Sequence, residues 1–242
     1  MTGGASGMGE SLVRAFPSLG AKVVALDFQS ERGLAVAEDS GAGFVKCDVS
    51  DEVSVSDSVD AATDLLGGLD VLVHAAGIAP GSPAESTPLE MWAKTLEVNA
   101  TGTFLTNKAA FTHLKDNGGR ILNFASAAGV RGLENKAAYS ASKGAVVAWT
   151  RTVAQEWARY NITVNAIAPA IWTPMYDATR TPMTPEQLTA HDAHMSTAVP
   201  LGGRLGDAEK DFVPVLVFLS GPGARFMTGQ VFPIDGGTLM MR

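Results

Sequence analysis

Tyr139 and Lys143 stand four residues apart in Tyr139-Ser140-Ala141-Ser142-Lys143, a spacing that sets a phenol and an ammonium on one face of a helix. Carrying a tyrosine from a pKa of ~10 towards 7 takes about 4 kcal/mol of differential stabilisation of the phenolate, which cations in a desolvated site supply. A phenol tuned in this way is a general acid and base near neutral pH. Taken alone, the pair equally fits a solvated helix face.

A second pattern opens the chain. Thr2-Gly3-Gly4-Ala5-Ser6-Gly7-Met8-Gly9 precedes the amphipathic segment 10–16. Glycines allow a backbone to approach a pyrophosphate closely, and the helix that follows offers unpaired N–H groups to the anion. The next strand, 22–26, ends at Asp27, twenty residues after Gly7, where a carboxylate can accept hydrogen bonds from the adenosine ribose hydroxyls. The same charge repels a 2′-phosphate, and neither Ser6 nor Phe28 supplies a compensating cation, so NAD is expected rather than NADP. A structural turn and a strand-end cap remain the plain alternatives.

Elements that would hold these groups follow from the apolar pattern. Short β-branched runs predict strands over 22–26, 43–47, 69–74, 120–124, 162–168 and 230–234, apolar on both faces as parallel strands covered by helices are. Helices are predicted over 7–18, 31–39, 52–66, 89–115, 137–160 and 208–220, with Pro214 forcing a kink or an offset start in the last. The alternation defines an α/β fold with a doubly wound parallel sheet. Val146, Trp149, Val153, Trp157 and Tyr160 form an apolar stripe suited to core or to a subunit interface. Residues 173–206, rich in Pro and Met and too irregular for one regular element, read as a substrate lid.

The 242 residues suit a single domain, 1–242, and 46% apolar with 18% charged residues excludes a disordered or coiled-coil chain. Eighteen basic residues against 25 acidic give a net charge of −7, which disfavours nucleic acid and anionic membrane as partners. No apolar run reaches the ~18 residues of a membrane span, and Met1-Thr2-Gly3-Gly4 has no signal-peptide character. Cys47 is the single cysteine, so a reducing, cytoplasmic setting is expected. His191 and His194 lack the surroundings of a zinc site, and no metal is expected.

With Thr-Gly-x-x-x-Gly-x-Gly at 2–9 and Tyr-x-x-x-Lys at 139–143, the chain resembles the short-chain dehydrogenase/reductase family. Between these motifs, Ile121-Leu122-Asn123-Phe124-Ala125-Ser126 and Val98-Asn99-Ala100-Thr101-Gly102 are similar to its segments carrying a catalytic serine and asparagine. Asn165-Ala166-Ile167-Ala168-Pro169, Thr228-Gly229-Gln230 and Asp235-Gly236-Gly237 extend the likeness over essentially the whole chain. The resemblance implies a Rossmann-type fold, NAD as cofactor, and hydride transfer between nicotinamide and an alcohol or carbonyl carbon. It makes Tyr139 the proton carrier, with Lys143 lowering its pKa and holding the nicotinamide ribose. Ser126 would steady the substrate oxygen, and Asn99 would hold a relay water. It puts Gly3, Ser6, Gly7, Met8, Gly9, Asp27, Asp48, Val49, Ala76 and Gly77 against the cofactor, with Pro169, Ile171 and Thr173 near its carboxamide. It also implies a homo-oligomer, a tetramer above all, through helices 89–115 and 137–160.

Three departures accompany the likeness. Ala75-Ala76-Gly77 replaces the usual Asn-Ala-Gly, removing an amide that braces the sheet; Ala170 replaces a glycine; and the spacing from Pro169 to Thr173 is one residue short. In the family an apolar strand of about six residues precedes the Thr-Gly turn at the centre of the sheet. Met1 stands where that strand should end, so the true start is expected upstream, with Met1 a misread valine codon. Its neighbours would otherwise lose backbone partners, at ~1 to 3 kcal/mol for each buried unpaired group. The apolar lid, with Trp172 and the methionines, suggests a small, neutral, fairly hydrophobic alcohol or ketone as substrate. The alternative function is an NAD-binding sensor or scaffold of weak turnover, against which the intact Ser126, Tyr139 and Lys143 stand.

Overall fold

A computed structural model describes residues 1–240; Met241 and Arg242, which close the expected 1–242 domain, lie outside the described residues. Helix α1 (Gly7–Ser18) leads into β1 (Val24–Asp27), α2 (Ser30–Ser40), β2 (Gly43–Lys46), α3 (Glu52–Leu66) and β3 (Val71–His74). Next come α4 (Leu89–Leu96), α5 (Gly102–Leu114), β4 (Gly119–Phe124), α6 (Ala127–Arg131), α7 (Ala137–Trp157) and β5 (Ile162–Pro169). Helices α8 (Pro174–Arg180), α9 (Pro185–Ala198) and α10 (Val213–Ser220) precede β6 (Val231–Ile234). All strand pairings are parallel, β1 with β2 and then β3-β4-β5-β6 in order.

Helices cover both faces of the sheet. Leu12, Val13 and Phe16 of α1 and Leu216 of α10 pack with Phe212 on Val73, Leu122 and Ile167. On the opposite face Val55 and Val59 of α3, Leu105 of α5 and Val153 of α7 close two further apolar clusters. Burial of strands on both sides is why their sequences are continuously apolar. Within the chain the aromatic stripe of α7 is partly satisfied by α5: Trp149 meets Phe104 edge to face at 5.4 Å, and Trp157 stacks on Phe111 at 4.8 Å.

Two of the expected helices are interrupted. A π turn at Glu97–Thr101 separates α4 from α5, and another at Ala208–Phe212 leads into α10, whose first turn contains Pro214. The proline falls at the second position of α10, directly after that π turn, which is the offset start the sequence allows. The segment expected to be irregular holds two helices. Thr173 caps α8 ahead of Pro174, and Thr184 with Gln187 forms a capping box ahead of Pro185 in α9. Tyr176 and His191 share a 2.6 Å hydrogen bond, and Arg180 pairs with Asp192, tying the two helices together. Among the described residues no helix is long and apolar enough to cross a membrane.

The centre of the sheet is held by two residues. Thr2 bridges to both Leu26 of β1 and His74 of β3. Leu26 N–H donates to the Met1 carbonyl at 2.8 Å, Thr2 N–H to Val73 at 2.9 Å, and Ala75 N–H to Thr2 at 3.3 Å. The loss of partners expected for β1 and β3 is thus averted at their carboxyl ends. A cavity of about 510 Å³ adjoins Met1, lined by Val24, Leu26, Val71, Leu72, Val59 and Leu66 among others.

The bracing amide replaced at Ala75 has a substitute. Thr2 and Thr106 both place their hydroxyls 2.9 Å from His74 Nδ1, and Thr2 Oγ1 also accepts from Ala76 N–H at 3.2 Å. His74 is 1% exposed, and its Nε2 has no partner. Burial, reinforced by the Lys143 charge, lowers its pKa from 6.5 to about 3. Between those values the unfolded chain binds a proton that the folded chain refuses, so stability must fall as pH drops from 6.5 towards 3, each unit being worth about 1.4 kcal/mol. Urea unfolding at pH 7.5, 6 and 5 should show this slope in the wild type and a shallower one in His74→Asn; equal slopes would refute the assignment.

Candidate active site

The glycine turn and the ends of β1, β2 and β3 enclose a cavity of about 580 Å³. Gly3, Ser6, Gly7, Met8, Gly9, Asp27, Asp48, Val49, Ala76, Gly77 and Thr173, all expected at the cofactor, line it. Gly3 and Gly7 have φ of +68° and +55°, and a Cβ on Gly9 would stand 2.1 Å from the Gly3 carbonyl oxygen, so the turn tolerates side chains at none of the three. Ser6 is the N-cap of α1, yet its side chain makes no capping bond, leaving the first-turn N–H groups available to an anion at this cavity.

Asp27, 6% exposed, accepts from Ala5 N–H and Gln29 N–H, each at 3.0 Å through a different carboxylate oxygen. The carboxylate is therefore fixed, with lone pairs left for a diol. Asp48 accepts from the Ser50 hydroxyl at 2.7 Å and from its N–H at 2.9 Å, bonds that hold its pKa below the usual range. Among the described residues Lys94 is the one basic group on the wall. A glycine turn with free N–H groups for phosphates, an acidic strand end and an apolar slot beside Val49 together fit a nicotinamide dinucleotide. Pro169 and Ile171 do not line this cavity: Pro169 pairs with Ile234 at the end of β5, and buried Ile171 bridges to Gly206.

The cavity meets a polar cluster at Gly77, where a Cβ would come 3.1 Å from Asn99 Oδ1 and 3.4 Å from Lys143 Nζ. Lys143 is 5% exposed, donates to the Phe124 carbonyl at 2.6 Å, and is pushed by burial to a pKa of about 8. Its Nζ lies 5.9 Å from the centre of the Tyr139 ring. Ser126 caps α6, accepting from Ala128 N–H at 3.1 Å, and faces Tyr139 because α6 and α7 cross backbone to backbone at Gly129. The sequence predicts a Tyr139 lowered by Lys143. In the free site burial instead raises the phenol's pKa, and the opposing pull comes from the Ser126 hydroxyl. The resting tyrosine is thus a protonated acid.

Asn99 sits in the π turn after α4, fully buried. Its Nδ2 donates to the Ile78 carbonyl and to Ser142 Oγ, both at 2.9 Å, and its Oδ1 accepts from Ile78 N–H at 2.8 Å. The Asn99 side chain is thus committed to the loop after β3 and positions that loop. A residue absent from the sequence expectations stands close by. Lys136, one turn before Tyr139, donates to the Ala79 carbonyl at 2.5 Å and is half-buried. Its signal was the three-residue spacing from the tyrosine.

A glycine-rich turn on a doubly wound sheet, with a phenol, an ammonium and a hydroxyl clustered beside Gly77 of the same cavity, is the arrangement of a nicotinamide-dependent oxidoreductase. A family model described as enoyl-(acyl carrier protein) reductase matches residues 3–238. Trans-4-hydroxycyclohexanecarboxylate dehydrogenase of Sinomonas cyclohexanicum is 37% identical over 98% of this chain and 90% of its own length. Among solved structures, 3-ketoacyl-(acyl-carrier-protein) reductase from Brucella melitensis complexed with NADH superposes with a TM-score of 0.87 at 32% identity, over 99% of this chain and 96% of that one. A single-residue variant of actinorhodin polyketide ketoreductase with NADPH gives 0.90 at 31%, over 98% and 95%. The chain belongs to the short-chain dehydrogenase/reductase family, oxidoreductases acting on CH–OH groups.

Proposed function

We propose that the protein transfers a hydride between NAD(H) and the carbon of a small secondary alcohol or ketone, with Tyr139 exchanging the oxygen-bound proton. The observation that carries this reading is the clustering of Ser126, Tyr139 and Lys143, with the Lys143 ammonium beside Gly77, which lines the same cavity as Asp27. The nicotinamide, when bound, supplies or accepts the hydride. In reduction, Ser126 donates a hydrogen bond to the carbonyl oxygen and Tyr139 delivers its proton as charge develops there. In oxidation the phenolate takes the proton back. Lys143, buried between Gly77 and Phe124, favours that phenolate and offers its ammonium to the ribose.

Asp27 supports NAD over NADP, since its fixed carboxylate would face a 2′-phosphate with no cation beside it on β1 or at Phe28, Gln29 and Ser30. The similar structures hold either NADH or NADPH, so this residue is the discriminating feature of the chain. Formation of reduced cofactor over a panel of secondary alcohols tests the reading. NAD should exceed NADP in kcat/KM, and Asp27→Asn should narrow the ratio by about 10- to 100-fold, the worth of charged hydrogen bonds lost or reversed. Wild-type preference for NADP would overturn the cofactor assignment. Binding of NAD without turnover of any alcohol would favour the sensor or scaffold function instead.

A further inference from the structure

We propose that Lys136 selects the substrate, its ammonium binding a carboxylate that the alcohol or ketone carries apart from the reacting oxygen. The inference rests on the redox reading above and replaces the expectation of a neutral substrate.

Tyr139 and Lys143 lie four apart on α7, and Lys136 precedes the helix as its N-cap, its carbonyl accepting from Ser140 N–H at 2.7 Å, so the phenol falls between two ammonium groups along the chain. Both cations touch the loop after β3. Lys143 Nζ lies beside Gly77, while Lys136 Nζ donates to Ala79 and lies 3.1 Å from where a Gly81 Cβ would be. Ser82 pairs with Lys136 in a parallel bridge, and Ser82 N–H donates to the Asn135 carbonyl at 2.8 Å, which fixes that end of the loop against α7. The loop therefore runs along the face from the cofactor end to Lys136, and Tyr139 stands between. Glycine and alanine at 77, 79 and 81 leave this side of the face uncluttered.

The two lysines are suited to different tasks. Lys143 is buried against the cofactor cavity, whereas Lys136 is half-buried at the outer end. Among the described residues no carboxylate forms an ion pair with Lys136. A single hydrogen bond to a neutral carbonyl occupies one of its three donors, and partial burial lowers its pKa, the mark of a cation short of compensation. An anion arriving there restores the lost solvation with charge-assisted hydrogen bonds. One relative is named for an alcohol that carries a carboxylate, 4-hydroxycyclohexanecarboxylate, and that acid serves as the probe.

The test compares 4-hydroxycyclohexanecarboxylate, its methyl ester and cyclohexanol on wild type, Lys136→Met and Lys136→Arg. In the wild type the acid should have the lowest KM. Lys136→Met should raise KM for the acid about 10- to 100-fold, with kcat within about threefold and the two neutral alcohols unaffected; Lys136→Arg should restore most of the loss. Equal KM for acid and ester in the wild type overturns the proposal, as does a Lys136→Met variant equally impaired on all three, which would make the lysine a brace for Ala79. Failure of the redox reading itself appears differently, as no turnover even of cyclohexanol. Calorimetric binding of cyclohexanecarboxylate, present in wild type and lost in Lys136→Met, then still supports the anion site, and its absence from the wild type refutes it.

Discussion

Tyr139→Phe should lower kcat by about 10²- to 10⁴-fold, the usual worth of a positioned general acid and base. The change removes one oxygen and keeps the ring, so the packing of α7 survives, Asn99 and Lys143 keep their partners, and Ser126 loses the phenol but keeps its bond from Ala128 N–H. What is lost is the hydroxyl that burial keeps protonated beside Ser126. Without it the substrate oxygen has a hydrogen-bond donor in Ser126 but no acid to complete the transfer. Affinity for the dinucleotide should fall no more than about tenfold, since a single hydrogen bond to a ribose contributes about 0.5 to 1.5 kcal/mol. Initial rates and cofactor binding measured side by side give both values. A variant retaining a tenth or more of wild-type kcat would remove Tyr139 from the reaction.

Gly129→Ala tests the scaffold rather than the chemistry. A Cβ at Gly129 would lie 2.4 Å from the Lys143 carbonyl carbon, 2.6 Å from its oxygen and 2.7 Å from Gly144 N. All three are backbone atoms of α7, which cannot rotate aside as a side chain can. Relief requires α6 to retreat, and overpacking of this kind costs about 1 to 3 kcal/mol. The retreat carries Ser126 away from Tyr139, and a displacement near 1 Å at a reacting centre costs about 10²-fold in rate. Gly144→Ala is the control: its Cβ would meet only the Gly129 oxygen, at an ordinary 3.5 Å. There the helix propensity of alanine should stabilise α7 by up to about 1 kcal/mol. Thermal unfolding and kcat/KM should separate the pair; a Gly129→Ala protein with unchanged Tm and rate would show that the crossing has slack.

The regular part of this fold was written plainly in the chain. The β-branched runs marked all six strands to within a few residues, because strands buried on both faces leave little room for polar interruption. The short helices were harder to read. Helix α6 has five residues, too few to show a period, and α8 and α9 have no buried residues, so no apolar stripe announces them. Their caps did announce them: Thr173-Pro174 and Thr184-Pro185 with Gln187 are helix starts, and counting those prolines as loop signals concealed that. At the site, Tyr139 and Lys143 follow from spacing, and Ser126 from the family resemblance. The commitment of the Asn99 amide to Ile78 depends on a π turn, and the rise in the Tyr139 pKa depends on burial; neither is a property of nearby sequence.

The glycine turn stands between two sets of strands. β1 and β2 carry Asp27 and lead to Asp48; β3 and β4 lead to Asn99 and Ser126. Thr2, at the root of the turn, pairs with both Leu26 and His74. A ligand that spans the cavity from Asp27 to Gly77 therefore touches both sets, so that tightness of grip at one end and accuracy of aim at the other become one mechanical property.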